Sequence, residues 1–63
     1  MQLTIKEWRR ARGITQEEMA KSCGVHVNTY RAWEDDPKQI KLEYVSMIAK
    51  RLGITVSDII FAL

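Results

Sequence analysis

The chain has 63 residues, a formal net charge of +2 and 46% hydrophobic residues, enough for one small domain spanning 1–63. A domain of this size buries only about 60% of the surface its unfolded chain exposes. The single cysteine, Cys23, excludes an internal disulfide, and one cysteine with one histidine cannot supply the four ligands of a structural zinc site, so no metal or cofactor is expected.

No apolar run approaches the length of a membrane span, and the opening MQLTIKEW has no long apolar core of the signal-peptide kind. The expectation is a cytoplasmic chain without a membrane partner. In chain order, Thr4 with Glu7 three residues later reads as a capping box opening a first helix. Ile5 and Trp8 face its core side, Ala11 partly so, and Arg9 leans the same way; Gly13 ends it and Ile14 packs in the turn. Thr15 with Glu18 is a second capping box, and Met19, Ala20 and Cys23 fall on one face of a helix over about Gln16 to Cys23. Gly24 follows where a left-handed residue is needed, with Val25 as an apolar plug. A third helix over about Val27 to Glu34 carries Tyr30 and Trp33 inward.

Pro37 stops helix propagation and pushes Asp36 toward an extended conformation. Asp35 to Lys41 reads as the one long connection, anchored by Ile40. A fourth helix over about Leu42 to Leu52 lines up Leu42, Val45, Ile48, Ala49 and Leu52 on one stripe. Lys50 and Arg51 suit the negative end of its dipole, and Gly53 stops it. Thr55 and Asp58 make a third capping box. Val56, Ile59, Ile60 and Leu63 then give a fifth amphipathic helix. No strand alternation, repeat or linker interrupts this order, and short connections favour a compact all-α bundle.

Two short helices joined by a Gly-containing turn, Thr15 to Glu34, form the helix-turn-helix pattern, whose second helix enters the major groove of DNA. Positive charge is uneven: Lys6, Arg9, Arg10 and Arg12 cluster early and Lys38 and Lys41 later, with the acidic run Glu34, Asp35 and Asp36 between them. From charge alone, an ordinary solvated surface explains this as well as a polyanion partner does.

The runs ITQEEMAKSCGV, NTYRAWE and IAKRLGITVSDII together resemble the Cro/CI-type, or XRE-like, helix-turn-helix regulators of phages and bacteria, over almost the whole chain. The linked features are Thr15-Gln16-Glu17, Ala20, Gly24, Trp33-Glu34, Ile48-Ala49 and Leu52-Gly53. The resemblance implies a five-helix bundle of the lambda-repressor-like type that binds a palindromic double-stranded DNA operator as a homodimer, and the length is similar to that of the small Cro-like members. It also implies residue roles. Gln16 matches a glutamine that contacts a phosphate and supports the recognition helix. Val27, Asn28, Arg31 and Ala32 match its solvent-facing, base-addressing positions. Arg9 and Glu34 match an ion pair tying the first helix to the end of the third. The chain departs from the family pattern at Asp35-Asp36-Pro37, where carboxylates would repel phosphate; Lys38, Gln39 and Lys41 restore positive or polar character a few residues later.

Chemistry ranks these residues. Asn28 suits a bidentate contact to adenine, and Arg31 suits guanine or a phosphate. Val27 and Ala32 offer apolar surface for thymine methyls. Gln16 is expected to have an exposed side chain and sits at a positive helix end that attracts phosphate. Thr29 and His26 are second-rank phosphate contacts, and the preferred reading of His26 is as the N-cap of the third helix or a surface residue. Trp8, Tyr30, Trp33 and Met19 are core by periodicity rather than stacking platforms for single strands. Ile60, Phe61 and Leu63 make either a dimer interface or, through Phe61, the closing layer of the core.

The leading expectation is a sequence-specific DNA-binding transcriptional regulator, a repressor. The rival is a protein-interaction module such as an antitoxin on the same fold, motivated by the acidic loop and modest charge. An enzyme is not expected, because no nucleophile–base pair, paired-carboxylate site or phosphate loop is present and so small a bundle offers little concave pocket for a small-molecule ligand.

Overall fold

A computed structural model of the chain describes residues 3–60. Within them lie five α-helices and one 3₁₀ turn: α1 (Ile5–Ala11), α2 (Gln16–Cys23), α3 (Val27–Asp35), the turn Pro37–Gln39, α4 (Leu42–Leu52) and α5 (Val56–Ile60). No strand occurs among the described residues. The ends of the helices follow from the capping chemistry. Thr4 and Glu7 exchange side-chain and backbone hydrogen bonds, as do Thr15 with Glu18 and Thr55 with Asp58. Each pair satisfies two backbone N–H groups that a helix start otherwise leaves without partners. Gly24 closes α2 at φ 69°, a left-handed conformation that a Cβ makes costly.

α2 packs on α3 and α4, and α5 closes against α4. The core runs through every helix. Ile5, Met19, Ala20, Tyr30, Ile48, Leu52 and Ile59 are almost wholly buried, and Ile14, Cys23, Trp33, Ile40, Val45 and Ala49 complete it. Trp33 bridges α3 and α4 by stacking, tilted, on Tyr44, with ring centroids 4.9 Å apart. It meets Tyr30 edge to face at 6.1 Å. Burial raises the Cys23 thiol pKa, which suits a small apolar core residue rather than a reactive one.

Several side chains sit elsewhere than periodicity predicts. Leu42 is 67% exposed, because buried Ile40 already fills the core where α4 begins. Ala11 is exposed at the end of the seven-residue α1, beyond the stripe set by Ile5 and Arg9. Val25 is half-buried rather than a full plug. The connection expected from Asp35 to Lys41 begins one residue later, since α3 runs to Asp35; Asp36 is extended as the proline requires (φ −141°, ψ 83°), and Pro37 starts a 3₁₀ turn. Phe61 and Leu63 lie outside the described residues, and Ile60 is 42% exposed at the end of α5.

Candidate nucleic-acid interface

The site is built on the meeting of α2 and α3. Tyr30 and Trp33 fix one side of α3 in the core, which turns Asn28, Thr29, Arg31 and Ala32 to solvent. His26 caps α3: its Nδ1 accepts the Asn28 backbone N–H at 3.0 Å, and the rest of the ring is exposed. Val27, expected to face solvent, is half-buried and packs against the core, because the first residue of α3 follows directly from the tight turn after α2. Part of its apolar surface is therefore spent on the core, whereas Ala32 is exposed.

A chain of charged and amide groups links this surface to the interior. Arg9 Nε donates to Glu34 Oε2 at 2.6 Å and Arg9 Nη2 to Oε1 at 3.3 Å. The two side chains are only 10% and 2% exposed. Arg9 Nη1 also donates to the Ile14 carbonyl at 2.8 Å, holding the turn between α1 and α2. The Glu34 hydrogen bond raises the Arg9 pKa in spite of burial. Burial alone would raise the Glu34 carboxyl, but Arg9, the neighbouring Tyr30 phenol and Gln16 together outweigh it and hold the group below the ordinary range. The Tyr30 hydroxyl is buried beside this pair without reaching hydrogen-bond geometry, and desolvation drives its pKa far up.

Gln16 carries the chain outward. Its Nε2 donates to Glu34 Oε1 at 2.9 Å and its Oε1 accepts from Arg31 Nε at 3.1 Å. A carboxylate on one side and a guanidinium on the other leave only one sensible orientation for the amide. Gln16 is thus half-buried, not the freely exposed side chain its helix-start position suggests, and one N–H of its amide remains for a further acceptor. Arg31 then donates from Nη1 to Asn28 Oδ1 at 3.1 Å and from Nη2 to Glu17 Oε1 at 3.4 Å. The structure therefore brings Gln16, Asn28 and Arg31 together as one unit. Lys38, Gln39 and Lys41 are exposed beyond the end of α3 and make no ion pair among the described residues.

Two participants escape sequence reasoning. Glu17 pairs with Arg31 across two helices, a contact no single-helix spacing reveals. Arg12, grouped by sequence with the early basic cluster, instead donates from Nε to the Leu52 carbonyl at 2.9 Å and lies over the Trp8 ring at 5.2 Å. It is a structural cap on the end of α4 rather than a free cation. Among the described residues no group of His, Cys, Asp or Glu could hold a metal ion, and no helix is long and apolar enough to cross a membrane.

A Helix-turn-helix family model matches residues 5–59, and the chain belongs to that family, in its Cro/CI-type branch. It is also similar to the cryptic phage CTXphi transcriptional repressor RstR of Vibrio cholerae, with 38% identity over 56 residues, which is 89% of this chain and 50% of that protein. The chain thus spans about half the length of this relative. No solved structure matches it.

Proposed function

We propose that the chain is a sequence-specific double-stranded DNA-binding repressor in which α3 reads a half-site in the major groove. The observation that carries this reading is the solvent-facing unit of Arg31, Asn28 and Gln16, two of them on α3 and one at the start of α2, held on the buried Arg9–Glu34 pair. A base-reading side chain discriminates only if its position is set before contact, and here Arg31 is held by Gln16, whose own orientation is fixed from inside the fold. Family membership and likeness to a phage repressor support the same conclusion.

In this reading Asn28 and Ala32 address base edges, Arg31 meets a base edge and the adjoining backbone phosphate, and Val27 is a lesser contact at the rim. Gln16, Thr29 and His26 meet backbone phosphates, and Lys38, Gln39 and Lys41 extend the backbone contact past Asp35 and Asp36. Two copies on a palindromic operator would place their α3 helices about 34 Å apart, one turn of duplex. Ile60, Phe61 and Leu63 are the apolar surface proposed to join them, and the setting is the cytoplasm.

Selection of binders from a random duplex pool with the purified chain tests this. A palindromic enriched motif is expected, and affinity for it should fall steeply with salt as phosphate contacts release counterions. An unenriched pool, or weak binding indifferent to salt, would rule the reading out.

A further inference from the structure

We propose that Glu17 competes with the DNA backbone for Arg31, occupying in the free protein the guanidinium nitrogen that a phosphate oxygen takes in the complex. The proposal rests on the DNA-binding reading above and adds a determinant of affinity to it. Each nitrogen of the Arg31 guanidinium has an acceptor: Nε has Gln16, Nη1 has Asn28 and Nη2 has Glu17. The first two acceptors are neutral amides, and Gln16 is itself fixed by Glu34. Glu17 is the anionic one. A guanidinium fork fits carboxylate and phosphate alike, so Glu17 offers Arg31 the same kind of contact that a DNA backbone would.

The geometry of the pair suits exchange. It spans 3.4 Å, with side chains 50% and 64% exposed, whereas the Arg9–Glu34 pair spans 2.6 Å and is buried. An exposed pair of this kind is weak, so a phosphate can displace it. Arg31 can give up Glu17 at Nη2 while Gln16 still holds Nε. Once released, the Glu17 carboxylate stands in the first turn of α2, beside the residues proposed to meet phosphate, and it gathers a cation from solution. Glu17 therefore lowers duplex affinity and makes its salt dependence shallower.

The ordinary role of a glutamate in a first helical turn is to favour the helix dipole. That role predicts a small loss of stability on neutralisation and no effect on DNA binding that depends on Arg31. The discriminating experiment measures binding of a labelled mixed-sequence duplex by fluorescence anisotropy across a salt series. It compares wild type, Glu17→Gln, Glu17→Ala, Arg31→Ala and the two double variants, with thermal melts confirming that each is folded. Glu17→Ala removes the acceptor that Gln would still offer to Arg31. Both neutral variants are expected to bind about fivefold more tightly at low salt, the scale of one exposed ion pair, with a steeper salt slope. With Arg31→Ala the gain should shrink to the small effect of removing one negative charge. An equal gain with and without Arg31, or no gain, overturns the proposal while leaving DNA binding intact. A folded wild type that binds no duplex removes the DNA-binding reading itself.

Discussion

Among the described residues two arginine–glutamate pairs are joined through one glutamine, and they behave as opposites. Arg9–Glu34 is buried, short and bound at further points: Arg9 also reaches the Ile14 carbonyl and Glu34 also accepts from Gln16. Arg31–Glu17 is exposed, longer and made at a single nitrogen. The same side-chain chemistry serves as scaffold in one place and as an available contact in the other. What separates them is solvent. A buried charge cannot exchange its partner for water, whereas an exposed one can exchange it for water or for another anion.

The largest test of this contrast is Arg9→Ala. It strands the Glu34 carboxylate in the interior, removes the bond to the Ile14 carbonyl and leaves Gln16 without its fixed neighbour. Losing one member of a buried pair costs about 3–5 kcal/mol, against about 5–15 kcal/mol for a whole domain. The variant is expected to be largely unfolded, or to melt far below wild type. A circular-dichroism melt within a few degrees of wild type would mean that the pair does not act as scaffold.

Acid should attack the same pair from its other member. The Glu34 pKa in the folded protein lies below its ordinary value of 4.5, so its contribution is complete above that value. It is lost as pH falls through the lower, folded-state value. Glu7 and Glu18, held down by their capping bonds to Thr4 and Thr15, titrate in the same direction. Glu34→Gln keeps those two and removes the first. The melting temperature of wild type should therefore drop more steeply below pH 4.5 than that of Glu34→Gln. Parallel curves would assign the acid sensitivity to the caps.

Arg12→Ala ranks next. It removes a hydrogen bond to the Leu52 carbonyl and a cation–π contact with Trp8. A loss of about 1–2 kcal/mol in a denaturant titration is expected, with little change in duplex binding. A selective loss of binding would instead place Arg12 among the phosphate contacts.

These residues also mark where sequence reading stops. Helix limits were legible because capping boxes and glycines act within three or four residues, and the inward stripe of Tyr30 and Trp33 follows from helical spacing alone. Leu42 and Ala11 were misplaced because periodicity shows which way a side chain points, not where its neighbours end. The partners Arg9 and Glu34 were legible only through family resemblance: 25 residues separate them, and no local rule joins them. Glu17 with Arg31 and Arg12 with Leu52 had no signal at all, since each depends on how helices distant in sequence come together.

Arg31→Ala has the smallest expected effect on stability and is the sharpest test of the contrast. Its side chain is half exposed and its partners remain solvated or otherwise bonded when it is removed. The melting curve should shift by no more than about 0.5 kcal/mol in stability. Loss of one base-reading or phosphate-clamping arginine nevertheless costs about 1–3 kcal/mol of discrimination, or roughly fivefold to 150-fold in affinity for the selected duplex. Arg9→Ala has the reverse signature: folding fails first and binding only as a consequence. If Arg31→Ala proved as damaging to folding as Arg9→Ala, the glutamine between them would be transmitting scaffold strain rather than separating two roles, and α3 would no longer present an independent reading face.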